Sequence, residues 1–223
     1  MTIIEPKRRD VQHPQEIKKH SPSLRLWHWL NAIVITGSLL TVLLNSTLLK
    51  TKKNAVAIKA NLAHSGITVT DGQARSVAHE LSNKVWMIHT YFGYTLAALL
   101  LFRLLVEFFQ LADQKFIRKL KSAYHQYQTT KKHRELAKHE FWIKTIYAVF
   151  YLMLITMALT GLCLAFEDDV PLLKSIHAFR QIHAFTMYLI LAFIIVHVVG
   201  VLLAERKDSQ GIVSDMINGG TDS

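Results

Sequence analysis

The chain has 223 residues, 51% of them hydrophobic and 19% charged, with a formal net charge of +10 and a mean hydropathy of +0.22. That composition excludes a disordered chain, which would be poor in apolar residues. The apolar residues also fall in long runs, not in the spread pattern of a soluble domain, so the sequence reads as an integral membrane protein.

The tail 1–23 is polar and carries Pro6, Pro14 and Pro22, the last of which ends any upstream helix. Four runs then reach or approach the roughly 20 residues that cross a bilayer, at Leu24–Leu44, Met87–Phe109, Ile143–Phe166 and Ile182–Ala204. Between the first two lie two amphipathic stretches, Ala55–His64 and Asp71–Val85, split by Ser65-Gly66. In the second, Ala74, Val77, Ala78, Leu81 and Val85 keep helical spacing, and Thr70 or Asp71 can cap it. A helical hairpin on the outer membrane face is expected. The loop Gln110–Phe141 is strongly basic, with an apolar stripe of Phe116, Leu120, Tyr124 and Tyr127 suited to anionic headgroups or a soluble partner. The third loop opens on Glu167-Asp168-Asp169, and residues 205–223 form a polar tail. Cys163 is the single cysteine, so no intramolecular disulfide forms, and its thiol is read as packing.

Lysine and arginine sort unevenly. Seventeen fall on the side of both termini and the second loop, and eight on the other. Positive charge collects in cytoplasmic loops, so both termini are expected in the cytoplasm. The charge is a signature of topology, and nucleic acid is not an expected partner. Trp27, Trp29, Trp86 and Trp142 mark the beginnings of spans, at the depth where amphipathic rings settle. The fold class expected is thus an all-α integral membrane four-helix bundle with a partly helical outer loop. Residues 24–204 form its core domain, between the two polar tails.

Four histidines, His28, His89, His183 and His197, lie in spans or at their edges. An ionisable side chain in lipid costs free energy and is a functional candidate by default. His183 and His197 are 14 residues apart, which returns them to within roughly 40° of one helix face, about 21 Å apart along the axis. With both termini inside, the four sort into two level pairs: His28 with His197 at the cytoplasmic side, His89 with His183 at the outer side. Two imidazoles from facing helices are what a six-coordinate haem iron requires. Zinc normally takes four ligands, and two per level are too few. Gly93, Ala32 and Gly200 follow His89, His28 and His197 by four, four and three residues, leaving room on each ligand's face. Arg103, 14 residues beyond His89, either neutralises a haem propionate, pairs with Glu107 or snorkels to the interface.

The segments Arg25-Leu-Trp-His28-Trp-Leu-Asn-Ala32 and His89-Thr-Tyr-Phe-Gly93, with the His183–His197 spacing, resemble the bacterial di-haem cytochrome b family. It includes the membrane subunits of nickel–iron hydrogenases and the gamma subunit of formate dehydrogenase-N. The chain departs from those subunits in its long loop 45–86. The resemblance implies two b haems, held by His28/His197 and by His89/His183, in the bacterial inner membrane. It also implies electron passage between the quinone pool and a redox partner protein or subunit. Candidate quinone-lining residues are His20, Arg25, Trp27 and Lys138 inside, and His177 and Arg180 outside. The alternative is a self-sufficient quinone-coupled oxidoreductase, oxidising superoxide or reducing an external acceptor at the outer haem, with Lys50–Lys59 drawing anions.

Overall fold

The computed structural model describes residues 22–109, 134–174, 177–207 and 211–219. They form helices α1 (Pro22–Thr47), α2 (Thr51–His64), α3 (Asp71–Phe109), α4 (Arg134–Ala165), α5 (Pro171–Lys174), α6 (Ala178–Lys207) and α7 (Ile212–Asn218). Among the described residues there is no strand. Helices α1, α3, α4 and α6 are long and apolar enough to cross a membrane. Their flanks are apolar too: Ile33 is 64% exposed and Val196 69%. Apolar surface on this scale is stable against hydrocarbon and not against water.

The helices extend beyond the apolar runs. Pro22 opens α1, where its fixed φ suits the first turn and its missing N–H costs nothing. Helix α4 starts at Arg134, nine residues before the apolar run, and α6 ends at Lys207. The largest difference is in α3. The amphipathic stretch and the second span are one helix of 39 residues, because no proline interrupts them. At 1.5 Å per residue it is about 58 Å long, roughly twice the hydrocarbon thickness.

The chain divides into two compact units, Trp29–Ala97 and a second made of Met1–His28 with Ala98–Ser223. In the first, the expected hairpin forms from α2 and the start of α3. Ala55, Ala74 and Ala78 are buried against one another, with Ile58 and Val69 packed beside them. Gly66, at φ +74°, ends α2. The Gly66 N–H donates to the Ala63 carbonyl at 3.0 Å and the Ile67 N–H to that of Leu62 at 2.9 Å. That double bond pattern closes a helix end through a left-handed residue, which glycine adopts without a Cβ clash. Thr70 then starts α3: the Gln73 N–H donates to the Thr70 hydroxyl at 3.2 Å, and the Thr70 N–H donates back to the Gln73 carboxamide at 2.9 Å. Asp71 is left to pair with Lys59 of α2 at 2.7 Å. Lys59 holds the Asp71 carboxyl below the usual carboxylate range, chiefly through this hydrogen bond.

In the second unit α4 and α6 pack antiparallel. Phe150 stacks on Phe193 at 4.3 Å between ring centroids, while ten residues further along α4 Thr160 meets His183, ten residues earlier on α6. Leu154 and Ile190 are buried between these points. The polar C-terminal tail contains a short helix, α7, which its composition did not announce. Gly211 and Gly219, both at positive φ, bound it. The Glu205 carboxylate accepts the N–H groups of Gly211 and Val213 at 2.8 and 3.2 Å, and the Arg25 guanidinium donates to the Ile217 carbonyl near its other end.

Candidate functional site

Four intramembrane histidines are the residues that need explaining, and each is held in a definite way. His28 sits on the second turn of α1 and His197 ten residues before the end of α6. Their ring centroids are 6.3 Å apart, with the planes at 57°. His197 lies parallel to Phe193, one turn earlier on α6, at 5.9 Å and 5°. Phe193 is in turn stacked on Phe150, so the aromatic column fixes the imidazole plane.

Beside His28, Trp27 stacks on Tyr151 at 5.8 Å, and its indole N–H donates to the Leu99 carbonyl at 3.2 Å. Arg103 donates through Nε to the Tyr151 hydroxyl at 3.2 Å, with its guanidinium 5.9 Å from the Trp27 ring centroid. Arg103 thus points into the protein among aromatic groups and is not extended toward the interface. Tyr151 was not legible as its partner, since a tyrosine in an apolar run carries no mark of what its hydroxyl meets. The Glu107 side chain lies outside the described residues.

His89 lies on α3, one turn past Trp86, whose ring meets it edge-on at 5.3 Å. Its Nδ1 is 3.0 Å from the Thr41 hydroxyl, 3.3 Å from that of Ser38 and 3.4 Å from the Ser38 carbonyl, all on α1. Further along the same seam Ser82 donates to the buried Asn45 side chain at 3.1 Å. Phe92, three residues after His89, rests on Gly37, where a Cβ would come within 2.5 Å of the ring. His183, at the start of α6, has its Nδ1 3.0 Å from the Thr160 hydroxyl. Its ring lies over Gly161, where a Cβ would stand 3.1 Å from Cε1. Serine and threonine partners were missed by the sequence reading, although Thr160 and Gly161 are adjacent.

The small residues read as clearances behave unequally. At Gly93 and Gly200 an added Cβ would meet nothing within 4 Å, whereas Ala32 is half-buried. Among the quinone-lining candidates, Arg180 pairs with Glu167 at 2.9 Å and His177 is exposed in the turn before α6. Arg25 is engaged with α7, and Trp27 with Tyr151. His20, the side chain of Lys138, and the stripe Phe116, Leu120, Tyr124 and Tyr127 lie outside the described residues.

A family model described as prokaryotic cytochrome b561 matches residues 19–219, nearly the whole chain and all four spans. The chain belongs to that family. Searches of curated proteins and of solved structures give no match. As a member of the cytochrome b561 family it is a multi-pass protein of the bacterial inner membrane, with haem b as its cofactor and electron transfer as its activity. The resemblance carried by the histidine segments therefore holds at the level of the family, the four spans and the cofactor class.

Proposed function

We propose that this cytochrome binds two b haems and carries electrons across the membrane between quinone and a redox partner. The observation that carries the reading is the 6.3 Å between the His28 and His197 ring centroids. A metal–imidazole bond is about 2 Å long, so this separation would let both imidazoles reach one iron. The residues present fit the group. The second pair, His89 with His183, rests on the sequence: each opens its span on the outer side.

The haem supplies reversible one-electron chemistry at iron. The chain's residues supply the rest. His28 and His197 would hold the haem through their imidazole nitrogens, and Phe193 and Phe150 hold the His197 plane. Arg103 sets a positive charge beside Trp27, suited to a propionate. A haem held by two histidines would supply electron transfer and not oxygen binding. Gly93 and Gly200 leave open space where a larger side chain would crowd a macrocycle. Both termini face the cytoplasm by the asymmetry of basic residues.

The test is a reduced-minus-oxidised visible spectrum of detergent-purified protein with a haem-to-protein ratio. The expected ratio is about two, with low-spin b-type bands, and His28→Ala and His89→Ala each remove a different haem. Folded protein made with ample haem and carrying none overturns the reading. The exposed Lys50, Lys52 and Lys53 favour a second reading, in which an outer anion such as superoxide gives its electron to quinone through this chain alone. Absence of turnover by the purified protein with superoxide and quinone rules that second reading out.

A further inference from the structure

Two of the four proposed ligands share a hydrogen-bonding device that fixes which of their nitrogens carries the proton. A threonine hydroxyl has a single hydrogen and two lone pairs. The Thr41 hydroxyl sits 2.6 Å from the Ser38 carbonyl, one turn back on its own helix, and the Thr160 hydroxyl sits 2.7 Å from the Thr156 carbonyl. A carbonyl only accepts, so each hydroxyl hydrogen is committed there. Toward the imidazole each threonine has only a lone pair left, at 3.0 Å from His89 Nδ1 and 3.0 Å from His183 Nδ1. Both Nδ1 atoms must then carry the proton. The Ser38 carbonyl, 3.4 Å from His89 Nδ1, requires the same of that ring independently.

We infer that Thr41 and Thr160 are positioning residues that lock His89 and His183 in the Nδ1–H tautomer, leaving each Nε2 lone pair to bind haem iron. The inference rests on the ligand assignment proposed above. A histidine ligand that donates its second N–H to a fixed acceptor is held in orientation and made a stronger donor to the metal. Here the acceptor is itself anchored to a helix carbonyl, so the threonine cannot turn away without breaking two bonds. Glycine completes each seat. Gly161 lets the His183 ring lie against α4, and Gly37 admits Phe92 against α1, three residues from His89. The two helices unrelated in sequence thus offer the same pair, a hydroxyl with an adjacent or nearby glycine.

The experiment uses the full haem-loaded protein in detergent. At nearly constant volume, Thr160→Val removes the acceptor of His183 and Thr41→Val the nearest of the acceptors of His89, and Ser at either position keeps it. Each Val variant is expected to weaken retention of one haem about 10- to 100-fold, read by transfer to an apo-globin competitor. The midpoint potential of that haem should rise, because a less basic imidazole favours ferric iron less, and its low-temperature EPR g-values should move. The other haem keeps its potential and signal, and the Ser variants return both readings toward wild type.

Val variants that hold both haems at wild-type potentials overturn the inference. Ser variants that behave like Val overturn it too, since the hydroxyl would then not be the active feature. Where Val disturbs packing, Ala makes the same comparison without added bulk. Failure of both to fold, in the haem-free protein as much as in the haem-loaded one, assigns the threonines to the fold and also overturns it. A His89→Ala variant that keeps both haems instead overturns the ligand assignment, and is thereby distinguished from failure of the threonine role.

Discussion

At the scale of single residues, Gly37 beneath Phe92 and Gly161 beneath His183 are the sharpest points of constraint. A methyl at Gly37 would lie 2.5 Å from the Phe92 ring, closer than any packed pair allows, so ring or helix must move. Gly37→Ala is expected to cost about 1–3 kcal/mol through overpacking, seen as a lower unfolding midpoint. At Gly161 the clash is milder, 3.1 Å to His183 Cε1, and a shift of a few tenths of an ångström relieves it. Gly161→Ala should fold normally and show its effect in the spectrum of the haem bound by His183. The histidines were legible because charge-bearing rings in apolar runs stand out and a 14-residue interval can be converted to a face. Their threonine partners were not. Thr90, Thr95 and Thr156 also bond back to their own helices, so a threonine meeting a histidine looks the same in sequence as one that does not.

Among the secondary elements, the α2–α3 hairpin shows how far turn chemistry can be read. The Ser65-Gly66 break was visible, and so was a start at Thr70 or Asp71, of which the structure uses Thr70; both act through backbone bonds that their side chains or lack of them allow. Thr70→Ala should remove the acceptor at the head of α3 and cost about 1 kcal/mol, measured as faster amide exchange over the first turn. The Lys59–Asp71 pair adds a pH dependence. Because the folded carboxyl titrates lower than in the unfolded chain, its contribution is present above about pH 4 and is lost as pH falls through the folded value. Hairpin amide exchange should quicken in that acid range, and Asp71→Asn should remove the pH step. Helix α7 was the element not read, although Gly211 and Gly219 bracket it. Seven residues are too few for a periodic pattern, and its support comes from Glu205 and Arg25, the latter 192 positions away from Ile217 in the chain.

For the whole molecule, the choice of solvent decides the fold class, and it was the most legible feature of all. Hydrophobic run length is nearly sufficient to place membrane helices, since the bilayer requires every backbone group to be satisfied within the segment. Exposed apolar residues on α4 and α6 mark where lipid lies. Leu152→Arg, placing a charge on such a residue, is expected to cost about 3–4 kcal/mol of insertion free energy, checked by a glycosylation-reporter insertion assay. Less legible was where helices stop outside the bilayer, because beyond its boundary run length loses its meaning and only breakers remain. The unbroken course of α3 has a consequence for how this chain can vary. His89 follows Asp71 by eighteen positions on one helix, so an inserted residue there would swing the hairpin's contact face by about 100° and lift it by about 1.5 Å relative to the histidine. Insertions and deletions in descendants of this sequence should therefore gather in the turns at 48–50 and 65–70, leaving the count from Asp71 to His89 fixed.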